Sequence, residues 1–364
     1  MPMHATTASP TVALADESQR EAIELSIVIV SWNVWPLLRD CLGSIAQVTA
    51  PVPSAPAPAS AQRLWGPQGA WQLEVIVVDN ASSDETTTAL PCEFPWVHLI
   101  QSGGNLGFTR SNNIGYRASR GAYVFFLNPD TSLTAAAQPA PGADPLTLLH
   151  RTIATDPTIG MVGPQLRYGD GSWQNSRRRF PTRWTGFFES TWLGQRWPTN
   201  PWARQMHMVN DPASAQHEVD WLNGSAMFCR RAALAAICAA DDPGPFDEQF
   251  FMYSEELDLC QRMVQAGWRI VYVPETTVVH YEGRSSEQIV MRRHIFFNTS
   301  KIRYYQKYFG PRWAALLRLY LRSEYLIQLV VESLKWLMRH KTALRRERIA
   351  AYRAILRNGF RSYW

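Results

Sequence analysis

Two segments set the architecture of this 364-residue chain: LSIVIVSWN, from Leu25 to Asn33, and LEVIVVDNASSD, from Leu73 to Asp84. Each begins with a run of β-branched and other apolar residues that shows no alternation with polar residues. Such runs are typical of strands that are buried on both faces in a parallel sheet. Each run ends in a polar cluster, so the sequence predicts two parallel strands with polar residues at their carboxyl ends.

Further segments continue the alternation of strands and helices. Residues 36–45 have helical spacing with Pro36 near the first turn, residues 97–101 and 122–127 have strand character, and a Gly/Asn-rich turn opens a helix around 111–119. This order predicts an α/β fold with a mainly parallel central sheet. Sheets of this kind bind ligands beyond the carboxyl ends of their strands, where the polar clusters stand.

The chain divides into three predicted regions. Residues 1–22 are expected to form a flexible leader, which lacks the basic start and apolar core of a signal peptide. Residues 23–285 are expected to form one catalytic domain with exposed Pro/Ala-rich insertions at about 50–70 and 134–146. Residues 286–364 form a basic, aromatic region with helical spacing.

Composition narrows the classes of function. The net charge of +5 indicates an anionic partner, and the five dispersed cysteines form no CxxC pair, which argues against a zinc site or a disulfide framework. A reducing cytoplasm fits such cysteine usage. No run reaches the ~18 apolar residues of a membrane span. Because no nucleic-acid motif is present and the basic residues concentrate in the tail, no nucleic-acid partner is predicted.

Two acidic clusters at strand ends have both a chemical and a structural interpretation. Asp130, in the Asn-Pro-Asp that starts at Asn128, can hold Mg²⁺ or Mn²⁺ against a diphosphate, but the same tripeptide suits a plain turn. Asp79 can accept a hydrogen bond from a pyrimidine base, whereas Asp84 can equally cap the following helix.

The densest acidic segment is FDEQFFMYSEELDLCQR, residues 246–262. Glu255, Asp258 and Arg262 stand at helical spacing, which is typical of an ion-paired helix face. Glu256 lies near the start of the same helix among apolar residues, where a carboxylate with a raised pKa can act as a general base. The segment alone leaves both interpretations open.

Seven motifs in order resemble one known family. They are SIVIVSWN, VVDNASSD, GGNLGFTRSNNIG, LNPD, WLNGSAMFCRR, FDEQFFMYSEELDLCQR and VPETTVVHYEG, and together they cover residues 25–285. The order resembles that of inverting glycosyltransferases of family 2 with the GT-A (nucleotide-diphospho-sugar transferase) fold. More narrowly it is similar to the bacterial rhamnosyltransferase-like branch that builds surface polysaccharides. The resemblance implies a GT-A fold with additional C-terminal helices.

The resemblance also implies roles for individual residues. The nucleoside pocket would be lined by Ser31, Asn33, Asp79 and Asp84. The donor would be flanked by Asn105, Gly107 and Asn112. LNPD resembles the DxD motif of the family, so Asp130 would bind the metal, Asn128 would contact ribose or a metal-bound water, and His280 would be a further metal ligand.

The catalytic base follows from the same comparison. The stretch Glu255-Glu256-Leu-Asp258 resembles the family's EDxDL pattern, so Glu256 matches the base at a position where the family usually has Asp. Glu255 is the alternative base, and Asp258 could instead hold the loop. The implied mechanism is a single displacement with inversion, in which the base takes the proton of an acceptor hydroxyl.

The implied donor is a dTDP- or UDP-sugar, with rhamnose from dTDP-rhamnose as the first expectation. A UDP-sugar that carries galactofuranose or N-acetylhexosamine is the alternative donor, and an inactive glycan-binding relative is the alternative function. A processive synthase is not expected, because no QxxRW motif or membrane span follows the base. The acceptor is expected to be a glycan or a lipid-linked glycan.

The carboxyl-terminal region from Arg312 onward alternates aromatic, apolar and basic residues at helical intervals. This pattern favours peripheral contact with an anionic membrane, and thus a cytoplasmic protein at the inner face of the cytoplasmic membrane. The alternatives are a helical cover over the catalytic domain or a homo-oligomer interface.

Overall fold

The computed structural model describes residues 22–52, 62–134, 144–238, 244–281 and 290–361. The strands in these ranges are β1 (Ile23–Ser31), β2 (Ala50–Pro51), β3 (Gln62–Trp65), β4 (Trp71–Asp79), β5 (Val97–Gln101), β6 (Tyr123–Leu127), β7 (Thr131–Ser132), β8 (Ile159–Arg167), β9 (Trp173–Gln174), β10 (Arg177–Arg178), β11 (His217–Glu218), β12 (Trp221–Leu222), β13 (Ala226–Arg230) and β14 (Arg269–His280). The helices are α1 (Trp35–Gln47), α2 (Thr86–Glu93), α3 (Gly107–Ala118), α4 (Pro145–Thr155), α5 (Thr185–Phe188), α6 (Trp192–Arg196), α7 (Pro201–Met206), α8 (Arg231–Ala236), α9 (Glu255–Gln265), α10 (Val290–Tyr308), α11 (Pro311–Leu337) and α12 (Thr342–Asn358).

One large sheet organises the chain, in the order β11-β14-β8-β13-β6-β1-β4-β3-β2. The strands β5, β4, β1 and β6 at its centre run parallel, as the apolar runs predicted. Strand β13 is antiparallel to both β6 and β8, and β14 is again parallel to β8. The α/β fold with a mainly parallel central sheet is therefore confirmed.

Both faces of β1 are buried, which explains its unbroken apolar sequence. Ile27 and Ile29 pack in one core with helix α1, and Val28 points into a second core on the other face. Helix α3 approaches that second face closely at Gly115, where a Cβ would lie 2.3 Å from Cγ1 of Val28. Close packing on both faces fixes where the carboxyl end of β1 stands.

The segment at about 50–70 was expected to be an exposed loop, but it contains two short strands at the edge of the sheet. Strand β2 pairs antiparallel with β3, and β3 extends the sheet edge along β4. Trp65 is buried and its ring centroid lies 5.0 Å from that of Trp71. The Pro/Ala composition of the segment concealed a short strand whose alternate residues, Arg63 and Trp65, face inward. Residues 53–61 lie outside the described ranges.

Two other predicted segments are only partly described. The leader lies outside the described residues up to residue 21, and so does most of the second insertion, residues 135–143. That insertion was expected to run to 146, but helix α4 already begins at Pro145 and is capped by Asp144, whose Oδ1 accepts from the backbone N–H of Thr147 at 2.8 Å.

The carboxyl-terminal region is helical, as predicted. Helices α10 and α11 contribute Ile302, Tyr305, Leu317 and Leu321 to the core that also contains Val28 of the sheet. The helices therefore share a hydrophobic core with the catalytic sheet. None of the described helices is long and apolar enough to cross a membrane.

Candidate active site

Ser31 and Asp79 end two neighbouring parallel strands and lie side by side. They are register partners in β1 and β4, and the backbone N–H of Asn80 donates to the Ser31 carbonyl at 2.8 Å. Both side chains are buried, and Ser31 Oγ and Asp79 Oδ1 have no hydrogen-bond partner among the described residues. Buried polar atoms are almost always paired, so two unpaired ones at the carboxyl edge of a sheet mark a place for a ligand.

Asn33 and Asp84 hold the two turns that follow these strands. Asn33 Oδ1 accepts from the backbone N–H of Ser83 at 2.7 Å, and Asp84 Oδ2 accepts from the N–H of Trp35 at 2.9 Å. Partial burial opposes ionisation of Asp84, but hydrogen bonds from Thr86 and Trp35 outweigh it and hold its pKa below the ordinary value. Asp84 Oδ1 also accepts from the backbone N–H of Thr86 at 3.1 Å, at the first residue of α2, which agrees with the expected capping of the following helix. The same carboxylate therefore bonds to the first residues of both α1 and α2.

Asn80, which the sequence analysis did not single out, joins these turns to the glycine-rich segment. Its Nδ2 donates to Asn105 Oδ1 at 3.1 Å, and its Oδ1 accepts from the N–H of Leu106 at 2.8 Å and from Ser111 Oγ at 3.0 Å. In the sequence, the only signal for this role of Asn80 was its position inside the polar cluster after β4. Asn112 is also buried, and its Nδ2 donates within its own helix, to the Phe108 carbonyl at 3.0 Å.

Gly107 is required where α3 begins. Its φ is +82°, and a Cβ there would lie 2.6 Å from the Phe251 carbonyl oxygen. The next N–H, of Phe108, donates to that same carbonyl at 2.8 Å. Asn113 adds two bonds to the backbone of Phe246, at 2.9 and 3.0 Å. The glycine-rich segment therefore contacts the acidic segment on one side and the turn after β4 on the other.

Asp130 and His280 meet because β7, directly after LNPD, pairs with the end of β14. Asp130 Oδ1 lies 3.4 Å from His280 Nε2, and both side chains are buried. His280 Nδ1 lies 3.1 Å from Gln174 Oε1, so the Gln174 side chain orients the imidazole ring with Nε2 facing Asp130. In the described part of the chain no three His, Cys, Asp or Glu side chains form a metal cluster.

A short turn connects LNPD to the acidic helix. The backbone N–H of Asn128 donates to the Ser225 carbonyl at 2.9 Å. A Cβ on the adjacent Gly224 would lie 3.4 Å from Cβ and 3.7 Å from Cδ of Glu256. Asn128 Oδ1, Ser225 Oγ and Glu256 Oε2 are buried atoms without a hydrogen-bond partner among the described residues. The turn at Gly224 and Ser225 thus brings Asn128 near Glu256, and all three unpaired atoms lie on residues at this contact.

Glu255 and Glu256 open helix α9 after a strained approach. Tyr253 and Ser254 have φ values of +69° and +61°, a conformation that is costly for residues other than glycine and is concentrated at functional sites. Burial raises the pKa of Glu255 well above its ordinary value, and the neighbouring Glu256 adds to this. Burial also raises the pKa of Glu256, while helix N–H groups and the positive charge of Arg178 oppose the increase.

Asp258 is fully buried, and both of its carboxylate oxygens have partners. Its Oδ2 accepts from Arg262 Nε at 2.8 Å, and its Oδ1 accepts from the Tyr308 hydroxyl at 2.8 Å and lies 2.7 Å from Lys307 Nζ. The ion-paired spacing with Arg262 is present in the structure. Asp258 also ties α9 to α10, a connection that local spacing could not reveal.

The segments that form this site also match known proteins. The profile of "Glycosyl transferase family 2" matches residues 26–200, and that of "Glycosyltransferase like family 2" matches residues 165–294. An N-acetylglucosaminyl-diphospho-decaprenol L-rhamnosyltransferase of Mycobacterium tuberculosis is 33% identical over 225 residues, which are 59% of this chain and 68% of that protein. The chain belongs to glycosyltransferase family 2. It is a glycosyltransferase, as the sequence motifs predicted.

Two more relatives of this family 2 protein extend the comparison. Rhamnosyltransferase WbbL of Escherichia coli is 26% identical over 210 residues, which are 56% of this chain and 71% of WbbL. A solved mannosyltransferase, PcManGT of Pyrobaculum calidifontis in complex with GDP-Man and Mn²⁺, superposes with a TM-score of 0.50 at 16% sequence identity, covering 96% of this chain and 89% of that one. That likeness supports the fold alone.

Proposed function

We propose that this family 2 enzyme is a metal-dependent, inverting rhamnosyltransferase that moves rhamnose from dTDP-rhamnose to a hydroxyl of a lipid-linked glycan in surface polysaccharide biosynthesis. The observation that carries the proposal is the turn from Asn128 through Ser225 and Gly224 to Glu256, which joins the donor side of the cleft to the acidic helix. The rhamnosyl donor is supported by the names of two relatives.

The residues around Asp130 fit a divalent cation. A carboxylate oxygen and an imidazole nitrogen lie 3.4 Å apart, and Gln174 orients the imidazole with Nε2 toward Asp130. Two protein ligands leave room for diphosphate oxygens, an arrangement that suits Mg²⁺ and Mn²⁺. The bound cation would neutralise the charge on the departing diphosphate. We assign Asp130 and His280 as the ligands and Asn128, through its unpaired Oδ1, as a contact to ribose or to bound water.

Glu256 is the proposed base. The Oε2 atoms of Glu255 and Glu256 are both unpaired among the described residues, but Glu256 lies half-buried beside Gly224, whereas Glu255 is nearly enclosed. The charge of Arg178 favours ionisation of Glu256, and no such opposing charge acts on Glu255. An ionised Glu256 would take the acceptor hydroxyl proton as the oxygen attacks the anomeric carbon, a transfer worth roughly 10²–10⁴ in rate. The single displacement inverts the configuration.

The proposed nucleoside pocket is built from Ser31 and Asp79, with Asn33 and Asp84 holding its walls. The unpaired Asp79 Oδ1 can accept the imino N–H that thymine and uracil share. UDP-galactofuranose and UDP-N-acetylhexosamine are therefore the competing donors. Asn105, Gly107 and Asn112 shape the donor-side loop, the first through its bond to Asn80.

We also propose peripheral contact with an anionic membrane through α11. The helix buries Ala314, Leu317 and Leu321 on one side. Large apolar residues cover the opposite side at helical spacing, with exposed fractions up to 67% within the helix: Leu316, Leu319, Leu326, Ile327, Val330, Val331, Leu334 and Leu337. Exposed arginines of the neighbouring α12 provide the positive charge that an anionic lipid surface attracts.

The deciding experiment offers dTDP-rhamnose, UDP-galactofuranose and UDP-N-acetylglucosamine to the full chain with an N-acetylglucosaminyl-diphospho-lipid acceptor. Transfer is followed with Mn²⁺, with Mg²⁺ and with EDTA. We expect rhamnosyl transfer that EDTA abolishes and that inverts the anomeric configuration. Transfer from a UDP-sugar alone would replace the donor, and binding of acceptor with no turnover of any donor would favour an inactive glycan-binding relative.

A further inference from the structure

Three tryptophans on residues 182–206, the segment between β10 and β11, are strongly exposed, and the mechanism above uses none of them. Trp184, Trp192 and Trp197 expose 49%, 47% and 45% of their surface. Tryptophan is buried over most of its surface in the average protein, since its large ring is costly to leave in water. Three half-exposed indoles within one short segment therefore indicate a surface that contacts a partner. We call these three residues the tryptophan patch.

Half-buried aromatic rings hold two members of the tryptophan patch in place. The ring centroid of Trp202 lies 6.2 Å from that of Trp184 and 5.8 Å from that of Trp197. Phe188 stacks on Trp202, with 4.5 Å between the two centroids. The exposed rings of Trp184 and Trp197 are thus packed on one common ring, which fixes their position at the surface.

The tryptophan patch adjoins the exposed apolar residues of α11. The ring centroid of Trp184 lies 5.3 Å from that of Trp313, in the first turn of α11. Further along the same helix, Glu324 Oε1 accepts from the backbone N–H of Trp192 at 2.8 Å. Leu316 is 47% exposed and stands three residues after Trp313, on the same side of the helix. The tryptophan patch and the apolar surface of α11 therefore lie side by side.

Positive charge accompanies the tryptophans. Arg183 and Arg196 are both exposed, and Cζ of Arg196 lies 4.9 Å from the ring centroid of Trp192. Glu189 is the one acid of this segment, and it is already paired with Lys301 at 3.0 Å. The segment therefore presents two arginines that have no acidic partner within it.

Indole rings beside arginines suit the boundary of an anionic lipid bilayer. The indole ring is amphipathic and prefers the headgroup level, and the planar fork of arginine matches phosphate oxygens. A second copy of this chain suits the surface less well, because the arginines of two facing copies would repel each other. A neutral glycan would offer the arginines no opposite charge.

We propose that residues 182–206 form a second membrane anchor, in which the tryptophan patch enters the headgroup layer and Arg183 and Arg196 bind lipid phosphates. The inference rests on the membrane contact proposed for α11 and adds a separate element with its own chemistry.

The anchor is fixed beside the active site. The backbone N–H of Arg179, directly after β10, donates to the Met206 carbonyl at 2.9 Å, which closes the base of the segment. Strand β10 also carries Arg178, whose charge favours the ionised form of Glu256. Membrane contact through the anchor thus brings the strand beside the proposed base close to the lipid surface.

Vesicle binding of the full chain tests the anchor. The partition coefficient is measured by co-sedimentation with vesicles of phosphatidylglycerol and phosphatidylcholine in equal amounts. The double variant Trp192→Ser, Trp197→Ser should lower it about tenfold or more, because two half-exposed indoles no longer enter the interface. Trp173→Ser is the matched control, since Trp173 is 43% exposed on β9, outside the anchor, and should leave the coefficient unchanged.

The double variant Arg183→Gln, Arg196→Gln tests the charge. Each arginine near an anionic surface contributes roughly fivefold to binding, so this variant should lose about 25-fold on the mixed vesicles. The loss should shrink on vesicles of phosphatidylcholine alone, because their net charge is zero.

Brominated lipids give an independent readout of the tryptophans. At saturating lipid, where α11 still holds the chain on the vesicle, they should quench the fluorescence of the wild type more than that of the double tryptophan variant. Equal quenching of the two proteins would contradict insertion of the tryptophan patch.

The outcomes separate the two membrane elements. Vesicle binding by the wild type with unchanged coefficients in both double variants would overturn the anchor and leave α11 as the membrane contact. A wild-type chain that does not bind would overturn both. A shift from dimer to monomer in the double tryptophan variant, measured by equilibrium sedimentation, would also overturn the anchor, because the surface would then join two copies. None of these readouts depends on sugar transfer, so the transferase proposal is tested separately.

Discussion

His280 Nε2 lies 3.4 Å from Asp130 Oδ1 across the β7–β14 pairing. The two side chains are far apart in the sequence, and the sheet brings them into one buried pair. The first predictions concern this pair and the amide that orients it.

Asp130→Ala should abolish metal-dependent rhamnosyl transfer, because the carboxylate is the only charged ligand we assign to the cation. The change is measured as product formation over a Mn²⁺ titration, with circular dichroism to verify folding. Full activity in a folded Asp130→Ala protein contradicts the metal assignment.

Gln174→Leu should weaken metal affinity by about 10–100-fold, the usual effect of losing a partner that orients a metal-bound histidine. Mn²⁺ binding in the presence of dTDP, followed by electron paramagnetic resonance, measures the affinity directly. Gln165→Leu, on the neighbouring strand β8, is the control. An unchanged affinity would contradict the orienting role of Gln174.

Glu256→Gln should lower the transfer rate by roughly 10²–10⁴ while donor affinity stays constant. Glu255→Gln should have a much smaller effect on rate, because Glu255 is enclosed and faces no counter-charge. Single-turnover kinetics separates the rate from binding. If Glu255→Gln is the inactive variant, Glu255 and not Glu256 is the base.

The pH profile of transfer should depend on Arg178. Burial raises the pKa of Glu256 and Arg178 opposes that increase, so Arg178→Gln should raise the pKa further. A general base works only when ionised, and the acid limb of the rate profile should therefore move to higher pH. Arg178→Lys keeps the charge and should restore most of the wild-type profile. A limb that does not move in Arg178→Gln excludes the electrostatic role.

Asp258→Ala should lower the free energy of unfolding by about 3–5 kcal/mol, because it leaves Arg262 and Lys307 without their buried partner. Tyr308→Phe removes one hydrogen bond to the same carboxylate and should cost only about 1.5–3 kcal/mol. Urea unfolding followed by tryptophan fluorescence provides both values. Equal stability of Asp258→Ala and wild type would disprove the anchoring role.

Flotation with anionic liposomes tests the membrane face of α11. The wild-type chain should float, and the double variant Leu319→Asp, Ile327→Asp should remain at the bottom, because acidic groups cost energy at a lipid interface. Val264→Asp introduces the same group at a position that is 39% exposed on α9 and should still float. A wild-type chain that does not float removes the membrane proposal.

Much of the fold follows from local sequence. The strands around Leu25–Ser31 and Leu73–Asp79 were predictable because β-branched apolar runs fit a strand buried on both faces. Their polar ends lie side by side, as expected, since chain direction in a parallel sheet brings those ends to one edge. Strand β3 was missed because a Pro/Ala-rich neighbourhood hides its short inward-facing pattern.

The contacts that define the site were less predictable. Gln174 meets His280, and Asn80 meets Asn105, through tertiary packing between distant segments, which no local spacing encodes. The resemblance to a family placed LNPD and Glu256 in order along the chain, but the turn at Gly224 and Ser225 that links Asn128 to Glu256 is visible only in three dimensions. Asp258 shows the same limit, because Lys307 and Tyr308 lie on a different helix.

The contacts between α9 and α10 limit where this protein can be truncated. Cutting the chain after residue 285 would strip Lys307 and Tyr308 from Asp258 and expose the apolar surface that Ile302 and Leu317 now cover. The remaining fragment would keep every motif of its family, but helix α9, which carries the proposed catalytic base, would lose its contacts with α10. When domains are exchanged between relatives, α9 and the carboxyl-terminal helices should therefore be transferred together.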